Sequence, residues 1–260
     1  MTTHTPSRPD PADPERREAL AALGRATAAA IVAAALPRLT TGTAFAATAG
    51  EWAAWTNAAR GAVASGVDAW AADSTIQGGE INGSALFLAP GTLDGPSFAP
   101  AVQQAVVAAG APPQVADALA QALWQPWATW SHDYTLFVPK AMKAFAAVAA
   151  SEVGPTPLAT RPLKKGSAPG RIALTPDVLR EIVLQLVPGM NEPTAGAALA
   201  ALVGWYTGEF AKWYRGAKLA NLVMSRGPVP TFAPPYVPVG PVVGGDVIGL
   251  RVIEAAPFGA

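Results

Sequence analysis

The apolar positions of the chain fall into three tracts with a helical repeat. From Glu51 to Ala72 the residues Trp52, Trp55, Ala59, Val63, Val67 and Trp70 recur mostly at steps of three and four, which places them on one face of a helix. Gly78-Gly79 and Gly83 end that pattern, and the stretch to Pro100 reads as loop with a short apolar run from Ala85 to Ala89. From Pro100 the chain is Ala-rich and helical again, broken near Gly110-Ala111-Pro112-Pro113. A further tract from Gln114 to about Ala149 carries Trp124, Trp127 and Trp130 at steps of three, with kinks or breaks expected at Pro126 and Pro139. The third tract runs from Thr175 to about Ser225 and opens with Thr175-Pro176-Asp177, a cap followed by proline in the first turn. Beyond Gly227, the six prolines from Pro228 to Pro241 predict polyproline II or irregular extended chain. The pattern predicts an all-α fold of Ala/Trp-rich helical hairpins with extended Pro-rich arms.

An internal duplication is expected as well. Pro100-x-Val102 corresponds to Pro176-x-Val178, Val106-Val107 to Ile182-Val183, Ala118-Leu119-Ala120 to Ala198-Leu199-Ala200, and Trp127 to Trp205. Each unit closes on Gly-Pro-x-Pro, at Gly154 and at Gly227. The organisation that follows is a polar tail at 1–18, a helical segment and loop at 19–97 and a first helical repeat at 98–157. A Pro/Lys linker at 158–173, a second repeat at 174–226 and an extended arm at 227–260 complete it.

Composition narrows the function. The chain has 260 residues with 18 basic and 18 acidic side chains, so it lacks the cationic excess that phosphate binding requires, and no nucleic-acid partner is expected. It has no cysteine and two histidines, His4 and His132, which removes thiolate catalysis and Cys-ligated metal and leaves little room for imidazole chemistry. Charged residues make up 14% against an apolar 51%, too few to cover the surface of a monomer, so part of that surface is expected to face other protein subunits, homo- or hetero-oligomeric. The longest weakly polar run, Ala26 to Leu36, is about half of the roughly 20 residues that span a membrane, and no integral span is expected.

The N-terminus has two readings. Arg16-Arg17, a weakly apolar stretch from Ala19 to Leu36 and the small-x-small sites Ala44-Phe45-Ala46 and Ala47-Thr48-Ala49 form the pattern of a twin-arginine export signal. The alternative is a retained Ala-rich helix stopped by Pro37. Together with that export-like start, Gly204-Trp205-Tyr206-Thr207-Gly208 after an Ala-rich helix resembles the small exported subunits of membrane-associated flavin dehydrogenases. The likeness covers only a few residues and assigns a role to none of them.

Candidate chemistry is sparse. Ser131-His132-Asp133 has the letters of a catalytic triad, but consecutive helical side chains point roughly 100° apart and cannot relay a proton. Gly244-Gly245-Asp246-Val247-Ile248-Gly249 lacks the spacing of a phosphate loop and reads as a tight turn. Lys164-Lys165, with Arg161 and Arg171 nearby, reads as a solvated basic loop. No catalytic residue, cofactor site or metal site is expected, and the chain is read as a non-enzymatic structural subunit of a large bacterial assembly such as a phage-like tail, contractile injection apparatus or shell. A cytoplasmically assembled particle is favoured over export; the alternative is an exported accessory subunit of a periplasmic oxidoreductase. The expected partner contacts are Trp205, Tyr206, Trp213 and Tyr214 on the third tract and Phe232, Tyr236, Val237 and Val239 on the arm. Val242-Val243 and Val247 to Ile253 have the strand propensity to extend a partner's sheet.

Overall fold

The computed structural model describes residues 47–142, 145–146, 152–153, 155–228, 239–240 and 242–260. Its first helix, α1 (Ala49–Ala72), starts at a capping box. The Thr48 backbone N–H and hydroxyl both donate to Glu51 Oε2 at 2.8 Å, and Glu51 N–H donates back to Thr48 Oγ1 at 3.2 Å. Those donors, the Thr48 backbone N–H first, hold the Glu51 carboxyl below its ordinary range. The buried positions of α1 are the apolar stripe of the sequence with Thr56 added, whose hydroxyl donates to the Trp52 carbonyl at 2.8 Å.

Two pairs of helices follow. The first joins α2 (Ala99–Ala108) to α3 (Pro113–His132), and the second joins α4 (Pro176–Leu186) to α5 (Gly196–Gly216), so that a short helix of 10 or 11 residues precedes a long one of 20 or 21 in each. Pro126 is accommodated inside α3 and buried there. Helix α1 packs on α2 and α5, α3 on α2 and α4, and α4 on α5.

The all-α expectation is overturned by antiparallel β-structure. Strands β1 (Thr75–Gly83), β2 (Ala85–Leu88), β3 (Leu93–Asp94) and β4 (Leu136–Val138) occupy stretches read as loop or helix. Short strands β5 (Phe145–Ala146), β6 (Glu152–Val153), β7 (Thr156–Pro157), β8 (Arg161–Pro162) and β9 (Lys218–Leu219) lead to β10 (Leu222–Pro228), β11 (Val239–Gly240), β12 (Val242–Leu250) and β13 (Ile253–Glu254). The main sheet has the order β4-β2-β1-β12-β10-β6, with β3 also on β1 and β7 on β10. Strands β13, β9 and β8 form a second sheet, and β11 pairs with β5. The fold is therefore mixed α/β.

The local reason is glycine in bulges. The β1–β12 register slips between Ile76 and Gly79, where Gly78 takes φ 73°, and again between Ile81 and Gly83. The slip breaks the period of two across Ile76 and Ile81, so the glycine pair looks like a helix terminator. Gly244-Gly245-Asp246-Val247-Ile248-Gly249, read as a tight turn, lies within β12, with Gly245 opposite Ile81 and Gly249 opposite Ile76.

The C-terminus is part of the core rather than an arm. Strand β12 sits between β1 and β10, and Val247, Val252, Ile253 and Phe258 are buried. Ile253 N–H donates to Ser74 Oγ at 3.1 Å, and Phe258 N–H to Asp68 Oδ1 at 2.8 Å, which clasps the last residues onto α1. Of the strand-forming segment from Val247 to Ile253, Val247 to Leu250 thus lies on an inner strand of the chain's own sheet and Ile253 pairs with Leu219. Truncating the Phe258 ring (Phe258→Ala) is expected to lower unfolding stability by about 3–5 kcal/mol, the usual range for a buried phenylalanine; a loss under about 1 kcal/mol in urea titration would show that the clasp is dispensable.

Candidate interaction surface

One face of the main sheet belongs to the core, through Ile76, Ile81, Leu86, Leu88, Leu136, Leu222, Met224 and Val247. Alternation along each strand sends the intervening side chains to the opposite face. There Phe87 and Phe137, directly paired across β2 and β4, are 42% and 58% exposed with ring centroids 4.9 Å apart. On β12, Ile248 and Leu250 are 48% and 72% exposed. Four of the five exposed large hydrophobics among the described residues thus lie on one face of one sheet, the fifth being Val107 on α2.

A charged row runs between these apolar groups. The register places Phe137 opposite Phe87, Phe87 opposite Glu80, Glu80 opposite Asp246, and Asp246 opposite Arg226. Glu80, Asp246 and Arg226 are exposed. At about 4.8 Å per strand the row spans roughly 19 Å. Two carboxylates directly opposed across a strand pair repel each other, and Arg226 lies beside only one of them.

The aromatic residues expected at a partner contact are placed otherwise. Tyr206, Trp213 and Tyr214 are buried, and Trp205 is half-buried. Tyr206 donates its hydroxyl to the Leu123 carbonyl on α3 at 2.9 Å. Trp213 packs on Trp70, Trp127 and Trp130, and Tyr214 on Trp130 and Phe210. Trp205 lies under the Arg60 guanidinium, 5.1 Å from its ring centroid, and against Phe258. Val239 pairs through its backbone with Ala146, while Phe232, Tyr236 and Val237 fall outside the described residues.

The structure also places the other constellations of the sequence. The Ser131 hydroxyl donates to the Ala128 carbonyl at 3.1 Å, facing away from the His132–Asp133 contact of 3.3 Å, so the three residues form no relay. Lys164 and Lys165 sit in a short 3-10 turn that Leu163 anchors in the core. A shallow pocket of about 200 Å³ lies between α2 and α3, lined by Gln103, Asp117, Gln121, Trp124 and Gln125 among others. Gln125 donates to Gln121 at 3.3 Å there, and Asp117 is the sole acid or base in the lining. No group of three or more His, Cys, Asp or Glu side chains among the described residues is placed to hold a metal ion. No helix among them is long and apolar enough to cross a membrane. Compared with protein-family models, curated proteins and solved structures, the chain has no match.

The exposed residues of the sheet were not legible as a surface beforehand. Phe87 lies inside the run from Ala85 to Ala89, where Leu86 and Leu88 point inward, and an unbroken run of apolar residues does not reveal which of them faces out.

Burial raises the Tyr206 hydroxyl well above its ordinary value, and it raises Tyr134 and Tyr214 in the same direction, with Arg171 opposing the effect at Tyr214. Each folded-state hydroxyl keeps its proton above the pH of about 10 at which the unfolded chain releases it. The stability from these groups is therefore complete below pH 10 and declines as pH rises beyond it. In urea titrations between pH 8.5 and 11, Tyr206→Phe is expected to reduce the slope of that decline by up to about 1.4 kcal/mol per pH unit. Equal slopes in the two proteins would show that Tyr206 ionises as freely folded as unfolded.

Proposed function

We propose that this protein is a non-enzymatic structural subunit of a multi-protein assembly and that it binds a neighbouring protein through the outer face of its main sheet. The carrying observation is the clustering of Phe87, Phe137, Ile248 and Leu250 on that face. Exposed hydrophobics scattered singly need no explanation, but several on one face of a half-covered sheet mark a contact. The low charge of the chain supports the same reading, since few ionic groups are available to keep its surface as a whole solvated. Protein, rather than nucleic acid, is the partner that fits a chain of zero net charge with this face.

A second reading, an exported accessory subunit of a periplasmic enzyme, is favoured by one observation. It is the sequence pattern of Arg16-Arg17, the apolar stretch from Ala19 to Leu36 and the small-x-small site Ala44-Phe45-Ala46. Both readings share a protein-binding role and differ in processing.

The double substitution Phe87→Ser/Phe137→Ser is expected to change thermal stability by under about 1 kcal/mol, because the lost pair is surface-exposed. It should also deplete, by tenfold or more, whichever stoichiometric partner co-purifies with the tagged wild type from its native cells. Full retention of that partner by a folded double variant argues against the sheet face. Intact-mass analysis of native material decides between the readings: an N-terminus at Met1 or Thr2 is expected for the assembly subunit, and one at Ala47 for the exported subunit.

A further inference from the structure

The charged row specifies what kind of partner surface fits, an inference that rests on the sheet-face reading above. We propose that the outer face takes a protein segment in which one Lys or Arg is flanked on both sides by aromatic or branched aliphatic side chains. Glu80 and Asp246 face each other across β1 and β12, exposed and on the same side of the sheet. Arg226 stands opposite Asp246 and not opposite Glu80, and the formal charges of the three groups sum to one negative. Along the row, Phe87 is a single strand spacing of about 5 Å from Glu80, with Phe137 beyond it. Ile248 and Leu250 follow Asp246 along β12 at about 7 Å per step, roughly at right angles to that row, so the apolar groups border the carboxylates along two directions.

An apolar partner without charge would strip water from two adjacent carboxylates and give nothing back, which disfavours it strongly. An acidic partner would add a third like charge. A cation set between apolar groups answers all three requirements: it relieves the Glu80–Asp246 repulsion, neutralises the excess charge and lets the flanking side chains bury Phe87 with Phe137 and Ile248 with Leu250. Arginine suits the position especially, since its planar group can bond a carboxylate through two N–H donors while its stem lies on apolar surface.

The test is selection of a random 16-residue peptide display library on the full-length chain, followed by affinity measurement of the enriched peptide at low salt. The expected consensus has a central Lys or Arg between apolar residues. Glu80→Lys/Asp246→Lys should weaken that peptide at least about tenfold, Glu80→Gln/Asp246→Asn should weaken it less, and exchanging the peptide's basic residue for Glu should recover binding to the charge-reversed protein. All four positions are exposed, and circular dichroism of each variant establishes that it is folded. An acidic or uncharged consensus, indifference to both charge variants, or no enrichment above background overturns the proposal. Binding lost in Phe87→Ser/Phe137→Ser but retained in the charge variants defeats the charge requirement and leaves the docking face standing; binding indifferent to all of them defeats both.

Discussion

The structure depends on the packing of Trp127 and Trp130 in the C-terminal third of α3. Trp127 touches Trp70 from α1, Phe210 and Trp213 from α5, Phe98 before α2 and Phe258 from the C-terminus, with ring centroids 5.1 to 6.0 Å apart. Most of these contacts are edge-on, the arrangement that aromatic quadrupoles favour. The indole N–H groups of Trp70, Trp127, Trp130 and Trp213 have no hydrogen-bond partner. Leaving one unpaired costs about 1–3 kcal/mol, whereas burying an indole of about 200 Å² contributes roughly 5 kcal/mol, so burial wins at each site. Edge-on geometry recovers part of the difference by setting ring edges against neighbouring π-faces. Alanine is the other half of this design: small residues such as Ala116, Ala118 and Ala122 on α3 let neighbouring backbones approach, and the tryptophans fill what remains.

The pairing of β1 with β12 closes the fold around that core. It joins a strand that follows α1 to one near the C-terminus, so the sheet forms only when the two ends of the described chain meet. One face of the sheet joins the core, and the pleat turns the intervening side chains, among them Glu80, Phe87, Asp246, Ile248 and Leu250, outward. Ordinary antiparallel sheets place polar residues there. Here Phe87, Phe137, Ile248 and Leu250 occupy part of that face, and this departure from alternation singles it out as the surface available for a neighbour.

Helices with an unbroken repeat were legible from the sequence; strands whose period is interrupted were not. The stripe from Trp52 to Trp70 is the buried face of α1, and the Trp127/Trp130 step of three points into the core as a helical face should. The main sheet escaped for two physical reasons. Its bulges at Gly78-Gly79 and Gly83 shift the period of two, and its central partners β1 and β12 lie far apart in the sequence, so no local pattern records their pairing. The same holds for the charged row: Glu80, Asp246 and Arg226 become neighbours only through register. Prolines after Gly227 pointed to an extended chain, and Val242 to Leu250 is extended, but as an inner strand of the sheet rather than a free arm.

The two-sided aromatic helix α5 shows how an aromatic stripe on each side of one helix is taken up within the fold. One of its stripes, with Tyr206, Phe210 and Trp213, faces α3 and the Trp127 cluster. The other, at Trp205, is covered from within the chain by Phe258, by Gly259 beneath the indole and by the Arg60 guanidinium. A helix that is apolar on both sides demands two coverings, and a C-terminus clasped to α1 supplies the second one in cis. Once that covering is internal, α5 offers a neighbour little, and the unmet apolar surface of the described chain is concentrated on the sheet, where a fixed pleat holds the aromatic pair and the carboxylate pair at set distances from each other. Selectivity on such a face comes from the charges, because the apolar groups reward any hydrophobic visitor while the two carboxylates admit only one that brings a cation to them.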